Sequence, residues 1–208
     1  MSISTRIDAT AIATPILGDD FLPAADVAKA FDFDYSEEQQ TAQANTLLSR
    51  QRLKWLRNGY MFTAAPPIAM NLLEVCALDP LLLYPETVGW FENDCQIFSR
   101  VDVVSPIGWL AVRTGAYPHS FKMTWDNQKR LLIGEERVPN AAEVAYALIA
   151  YYKVRTVYLL PDSYVRTSSI DAEGDRVLVG CFDAEGLDIK ECWNRKRRRN
   201  IGVLSALK

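Results

Sequence analysis

The stretch PNAAEVAYALIAYYKVRTVYLL, residues 139–160, decides the fold. Asn140 can cap a helix whose third residue is Glu143, each side chain taking up the other residue's free backbone N–H in a capping box. Pro139 keeps the preceding chain out of that helix. Val144, Ala145, Ala147, Leu148, Ile149, Tyr151 and Tyr152 leave almost no polar face, so the helix is expected at the centre of the core rather than on a surface. Lys153 and Arg155 put positive charge at its C-terminal end, where the helix dipole favours it, and the period then changes to that of a strand over 156–160.

Beyond Pro161 the tetrapeptide Asp-Ala-Glu-Gly occurs twice, at 171–174 and 183–186, each time between runs of β-formers. Asp in the first place and Gly in the fourth fit a type I turn closed by a left-handed glycine, a common join between antiparallel strands. The predicted strands are 164–170, 176–182, 187–192 and 201–206, read as a β-meander. Val177, Val179 and Cys181 face one side while Leu178, Gly180 and Phe182 face the other, so the second strand is central. Leu187 and Ile189 alternate with Asp188 and Lys190, which places the third nearer an edge.

The fold class is therefore α+β, an antiparallel C-terminal sheet packed against helices from the N-terminal and middle regions. Ser36 with Gln39 makes a second capping box, and Arg50, Arg52, Lys54 and Arg57 crowd the far end of a helix expected over 37–57. A short helix is expected over 24–31, another over 68–78 before Asp79-Pro80, a strand over 109–113, and a helix over 124–133. The last of these is expected to turn Trp125, Gln128, Leu131 and Leu132 toward the central helix. The chain reads as a single domain, 1–208, with 1–34 a partly ordered N-terminal arm, 35–105 mainly helical, and 106–208 an α+β core with the meander.

At 208 residues and 49% hydrophobic, the chain can bury one substantial core. Its formal charge of −3 argues against general adhesion to nucleic acid or to an anionic membrane. No run approaches the roughly 20 apolar residues of a membrane span, and the first residues lack the apolar stretch of a signal peptide, so a soluble, cytoplasmic protein is expected, with no membrane partner. The four cysteines are scattered, with no Cys-x-x-Cys pair, and there is a single histidine. Cysteine-rich zinc sites and His-rich metal sites therefore lose their support, and neither metal nor cofactor is expected. Phosphate-loop, dinucleotide-binding and nucleophile-elbow motifs are all missing.

Three sets of residues carry what chemistry the sequence offers. His119, in an expected loop, titrates near neutrality but has no visible orienting partner. Tyr164, Arg166 and Ser168 are spaced at period two and share one face of a strand, where they line either a polar ligand pocket or plain solvent. Arg195, Lys196, Arg197, Arg198 and Arg199 are five consecutive cations beside Trp193, a pattern that can track a phosphate backbone and stack a base, or form a solvated loop. Tyr84, Trp90, Phe91 and Phe98 suggest an aromatic ligand box as well as ordinary packing. Asp171, Glu173, Asp175, Asp183 and Glu185 suit neither a calcium loop nor a fixed glycosidase pair, and turn geometry accounts for them. The expectation is a non-enzymatic binding or assembly module for a small polar ligand or a protein partner, with self-association open. The alternatives are an enzyme acting on a small polar or phosphorylated substrate through Tyr164, Arg166 and His119, and a nucleic-acid-binding protein using the basic run.

Overall fold

The computed structural model describes residues 9–207, so the first eight residues of the expected N-terminal arm lie outside the described residues. The chain begins with α1 (Ala9–Leu17), β1 (Phe21–Leu22) and α2 (Ala24–Phe31), the last with the bounds its sequence indicates. Next come α3 (Glu37–Asn45) and α4 (Arg50–Leu56), which replace the single helix expected over 37–57. The capping box of Ser36 and Gln39 forms, but Ser49 caps a second helix by accepting from the Arg52 N–H. Leu47 and Leu48, in the break, are partly buried against a cluster built by α1, α4 and residues Phe21, Tyr60, Phe62 and Ala111. Burial of these two leucines outweighs the helix propensity of the polar run around them.

After β2 (Tyr60–Ala64) and β3 (Met70–Asn71), α5 (Leu72–Ala77) is shorter than the helix expected over 68–78, because Asn71 and Glu74 build a capping box of their own. The chain continues through α6 (Pro85–Phe91), α7 (Phe98–Val101), β4 (Val103–Val104), β5 (Trp109–Arg113), α8 (Trp125–Lys129), β6 (Glu136–Arg137) and α9 (Ala141–Arg155). It finishes with β7 (Tyr164–Ile170), β8 (Arg176–Asp183), β9 (Gly186–Cys192), β10 (Ile201–Val203) and β11 (Ala206–Leu207). Among the described residues no helix is long and apolar enough to cross a membrane.

The fold is α+β, and its C-terminal sheet packs against helices. That sheet has the order β10-β7-β8-β9, with β8 inside and β9 at an edge. The expected fourth strand over 201–206 is corrected in two ways. Residues 201–203 leave β9, cross the sheet and pair in parallel with β7, so the meander covers only β7 to β9. Ala206 then enters a second sheet, β1-β2-β5-β11-β6, between Val112 and Arg137. Two sheets joined by one short segment could not be read from periodicity, because pairing partners distant in sequence leave no local signature.

The helix α9 is the centre of the core, as its sequence requires. Eleven of its fifteen residues are buried, and it packs on strands of both large sheets and on α2 and α5. Five of those fifteen are alanine, whose small side chains let a helix lie close to two sheets. The capping box of Asn140 and Glu143 is present, and Arg137 grips the Glu143 carboxylate with both Nη atoms, at 2.6 and 2.5 Å. At the other end Arg155 donates to the Phe21 carbonyl at 2.6 Å. The strand expected over 156–160 does not form. Thr156 closes α9 in the left-handed conformation (φ 58°), and Leu160 is left-handed as well (φ 58°). The helix expected over 124–133 shrinks to α8, and its buried Gln128 is directed at β10 and Arg166 rather than serving an apolar face.

Candidate functional site

The two faces of the β7-β8-β9 sheet have different fates. Val165, Val177, Val179, Leu187 and Ile189 join the main core around α9. On the other face Tyr164, Leu178, Cys192 and Ile201 make a small apolar cluster, with Asp188 and Lys190 alongside it. Over this face, the β8–β9 hairpin and α6 enclose a cleft of about 600 Å3.

Backbone contacts hold the cleft open. Tyr84 donates its N–H to the Leu187 carbonyl at 3.0 Å, and Leu83 bridges to Leu187, fastening the start of α6 to the edge strand. This approach needs Gly186. Its φ is 119°, and a Cβ there would lie 2.5 Å from the Leu83 carbonyl carbon.

At the floor of the cleft Tyr164 donates its hydroxyl hydrogen to Asp188 Oδ2. Lys190 Nζ reaches the same oxygen at 2.8 Å and the Tyr164 hydroxyl oxygen at 2.5 Å, with its charge 3.9 Å from the Tyr164 ring centre. Burial raises the Tyr164 pKa, and the neighbouring Asp188 raises it further, so the phenol stays protonated. Asp188 is only 8% exposed, and its second oxygen, Oδ1, is buried with no partner among the described residues.

Cys181 also lines the cleft, on a bulge where the β8–β9 register shifts, with a left-handed φ of 42° and its N–H on the Ser163 carbonyl at 2.8 Å. Burial raises its thiol pKa, against opposing pulls from the Tyr164 hydroxyl and the Lys190 charge.

The rim is acidic and aromatic. Glu86, Asp183, Glu185 and Glu191 join Asp188 in the lining, against Lys190 as a cation, while Tyr84 and Trp90 present rings. Among the described residues none of those four rim carboxylates forms an ion pair. The negative field is felt at Tyr84, whose pKa is raised first by Glu86, then by burial, then by Glu185 and Asp188.

A second feature lies on the same sheet face. The connection from β9 to β10 carries residues 193–200 across the sheet as an arch, and Arg166 stands beneath it, fully buried. Its Nη1 donates to Gln128 Oε1 at 2.7 Å and to the Met123 carbonyl at 3.3 Å. Its Nη2 donates to the carbonyls of Lys196 at 2.5 Å and Trp193 at 3.4 Å. A smaller recess of about 280 Å3 lies between Tyr164, Lys190, Lys196 and Arg198.

The residues singled out by sequence are thus dispersed. Tyr164 lines the cleft, Arg166 is enclosed under the arch, and Ser168 is exposed where the register of β7 shifts between Arg166 and Ile170. His119 is exposed in the loop after β5 and lines neither recess. Trp193 and Arg195 to Arg199 are exposed on the arch. Asp188 and Lys190 were legible only as the polar half of an edge strand, and Asp183 and Glu185 only as turn residues. Among the described residues no group of three or more His, Cys, Asp or Glu is arranged to hold a metal ion. Compared with protein-family models, with curated proteins and with solved structures, the chain gives no match.

Proposed function

We propose that the protein is a binding module for a small aliphatic amine or polyamine, held in the cleft between α6 and β9. The observation that carries this reading is Asp188, a carboxylate in the lining of the cleft whose Oδ1 is buried without a hydrogen bond. A buried acceptor left unpaired costs about 1–3 kcal/mol, which an N–H from a ligand would recover. Glu86, Asp183, Glu185 and Glu191 supply negative charge around the mouth, and the Tyr84 and Trp90 rings offer faces to a cation. An amine that donates hydrogen bonds suits Oδ1 better than a quaternary ammonium, which has no N–H to give. The enzymatic alternative has less support, since Arg166 is occupied by buried acceptors and His119 lies outside the cleft.

Calorimetric titration with spermidine tests the reading. Binding is expected to weaken with salt, to fall about tenfold or more in Asp188→Asn, to fall in the paired variant Asp183→Asn with Glu185→Gln, and to be much weaker for tetramethylammonium. No heat with spermidine at low salt, or affinity untouched by Asp188→Asn, would count against it.

A further inference from the structure

We infer that the β9–β10 arch is a docking surface for single-stranded nucleic acid, independent of the acidic cleft. The sequence alone favours reading the basic run as a mobile, solvated loop, but its backbone is tied down along its length. The carbonyls of Trp193 and Lys196 accept from the buried Arg166 guanidinium. Those of Asn194, Arg198 and Asn200 accept from the N–H groups of Trp125, Lys122 and Tyr164, at 2.9, 2.9 and 2.8 Å. The Asn194 N–H in turn donates to Asp175 Oδ1 at 3.2 Å.

With five carbonyls held by inward donors, the arch presents its side chains outward from a fixed frame. Arg195, Lys196, Arg197, Arg198 and Arg199 are all exposed, as is Lys122 beside Arg198. Among the described residues none of these six cations pairs with a carboxylate. An ordered backbone spares the loop-ordering part of the entropic cost when phosphates replace the counterions of these cations.

Trp193 decides the class of polyanion. The residue is 70% exposed, an unusual place for an indole, and Lys196 Nζ lies 5.8 Å from the ring centre. A flat apolar ring set beside cations matches a chain of alternating bases and phosphates, with a base stacked on the indole and flanking phosphates on the arginines. Duplex hides its base faces and sulfated polysaccharide has none, so both can use only the charge.

Fluorescence polarisation of a labelled oligothymidylate across a salt series tests the inference, with a duplex of equal length and a heparin oligosaccharide as comparators. Each phosphate neutralised contributes about 0.7 to the log–log salt slope of a single strand, so engagement of all five residues of the run gives about −3.5. The triple variant Arg197→Ser, Arg198→Ser, Arg199→Ser is expected to flatten the slope to about −1.4. Trp193→Ala is expected to weaken the single strand by about 5- to 150-fold and to leave heparin unchanged. All these positions are exposed, so circular dichroism of the variants should match the parent. No association at low salt, a slope unchanged by the triple variant, or a Trp193→Ala variant that binds the single strand as the parent does would each overturn the inference. Duplex or heparin bound as tightly as the single strand would also overturn it.

Discussion

Arg166 Nη2 donates to the carbonyl oxygen of Lys196 across 2.5 Å, so a fully buried cation in the middle of β7 holds a surface connection by its backbone. Among the described residues its acceptors are the amide and carbonyl oxygens of Gln128, Met123, Trp193 and Lys196 and the Cys192 sulfur, none of them a carboxylate. The charge is dispersed over four neutral oxygens that a guanidinium can reach at once.

Arg166→Met is therefore expected to destabilise the fold by about 3 kcal/mol or more, because several buried oxygens lose their donors together. Arg166→Lys should recover little, since one ammonium cannot span the same set. Urea denaturation measures both. A Lys variant as stable as the parent would mean that charge, and not the fork of donors, supports the arch.

Two turn glycines separate backbone strain from steric clash. Gly174 has φ 87° and nothing within 4 Å of a Cβ, whereas Gly186 has φ 119° and would place a Cβ 2.5 Å from Leu83 and 2.6 Å from the Tyr84 nitrogen. Gly174→Ala is expected to cost about 1 kcal/mol from conformation alone. Gly186→Ala should cost more, by about 1–3 kcal/mol, and should also loosen α6 from β9. Thermal melts of the two variants that coincide would refute the close approach at Leu83.

Stability should decline at both ends of the pH scale. Burial pushes the Glu136 carboxyl up, but hydrogen bonds from Tyr117 and Tyr60, the Ile133 N–H and Ser205 outweigh it and hold the carboxyl below its ordinary value of 4.5. The unfolded chain then takes up the proton more readily. The stabilisation is complete above that value and disappears as pH falls through the lower folded value. Burial raises the hydroxyls of Tyr35, Tyr146 and Tyr164 above the ordinary 10.0, so the unfolded chain releases protons first and stability falls as pH rises past that value. Urea midpoints measured against pH should show both declines, with the acid one shallower in Tyr117→Phe. An acid limb equally steep in that variant would assign the effect to other carboxylates.

What the sequence makes legible is local. Asn140 with Glu143, Ser36 with Gln39, strand β5 and the glycine turns each depend on residues within a few positions, and each is found where it is expected. The break before Ser49 is local too, but the cationic residues that follow resemble the end of one long helix. Arg166 shows a different limit. At period two on a strand it reads as a pocket residue, and its enclosure depends on residues near 123–128 and 193–196 meeting over it. The cleft has the same character: Tyr164 is found from its strand, while its partners Asp188 and Lys190 become partners only when β7, β8 and β9 are aligned.

Residues 201–207 supply β10 beside β7 and β11 between β5 and β6. Without that segment one side of β7 and one side of β5 are open edges. The two sheets therefore depend on one short segment for their completion. A chain lacking residues 201–207 leaves both edges open, and is expected to aggregate rather than to form a smaller stable protein.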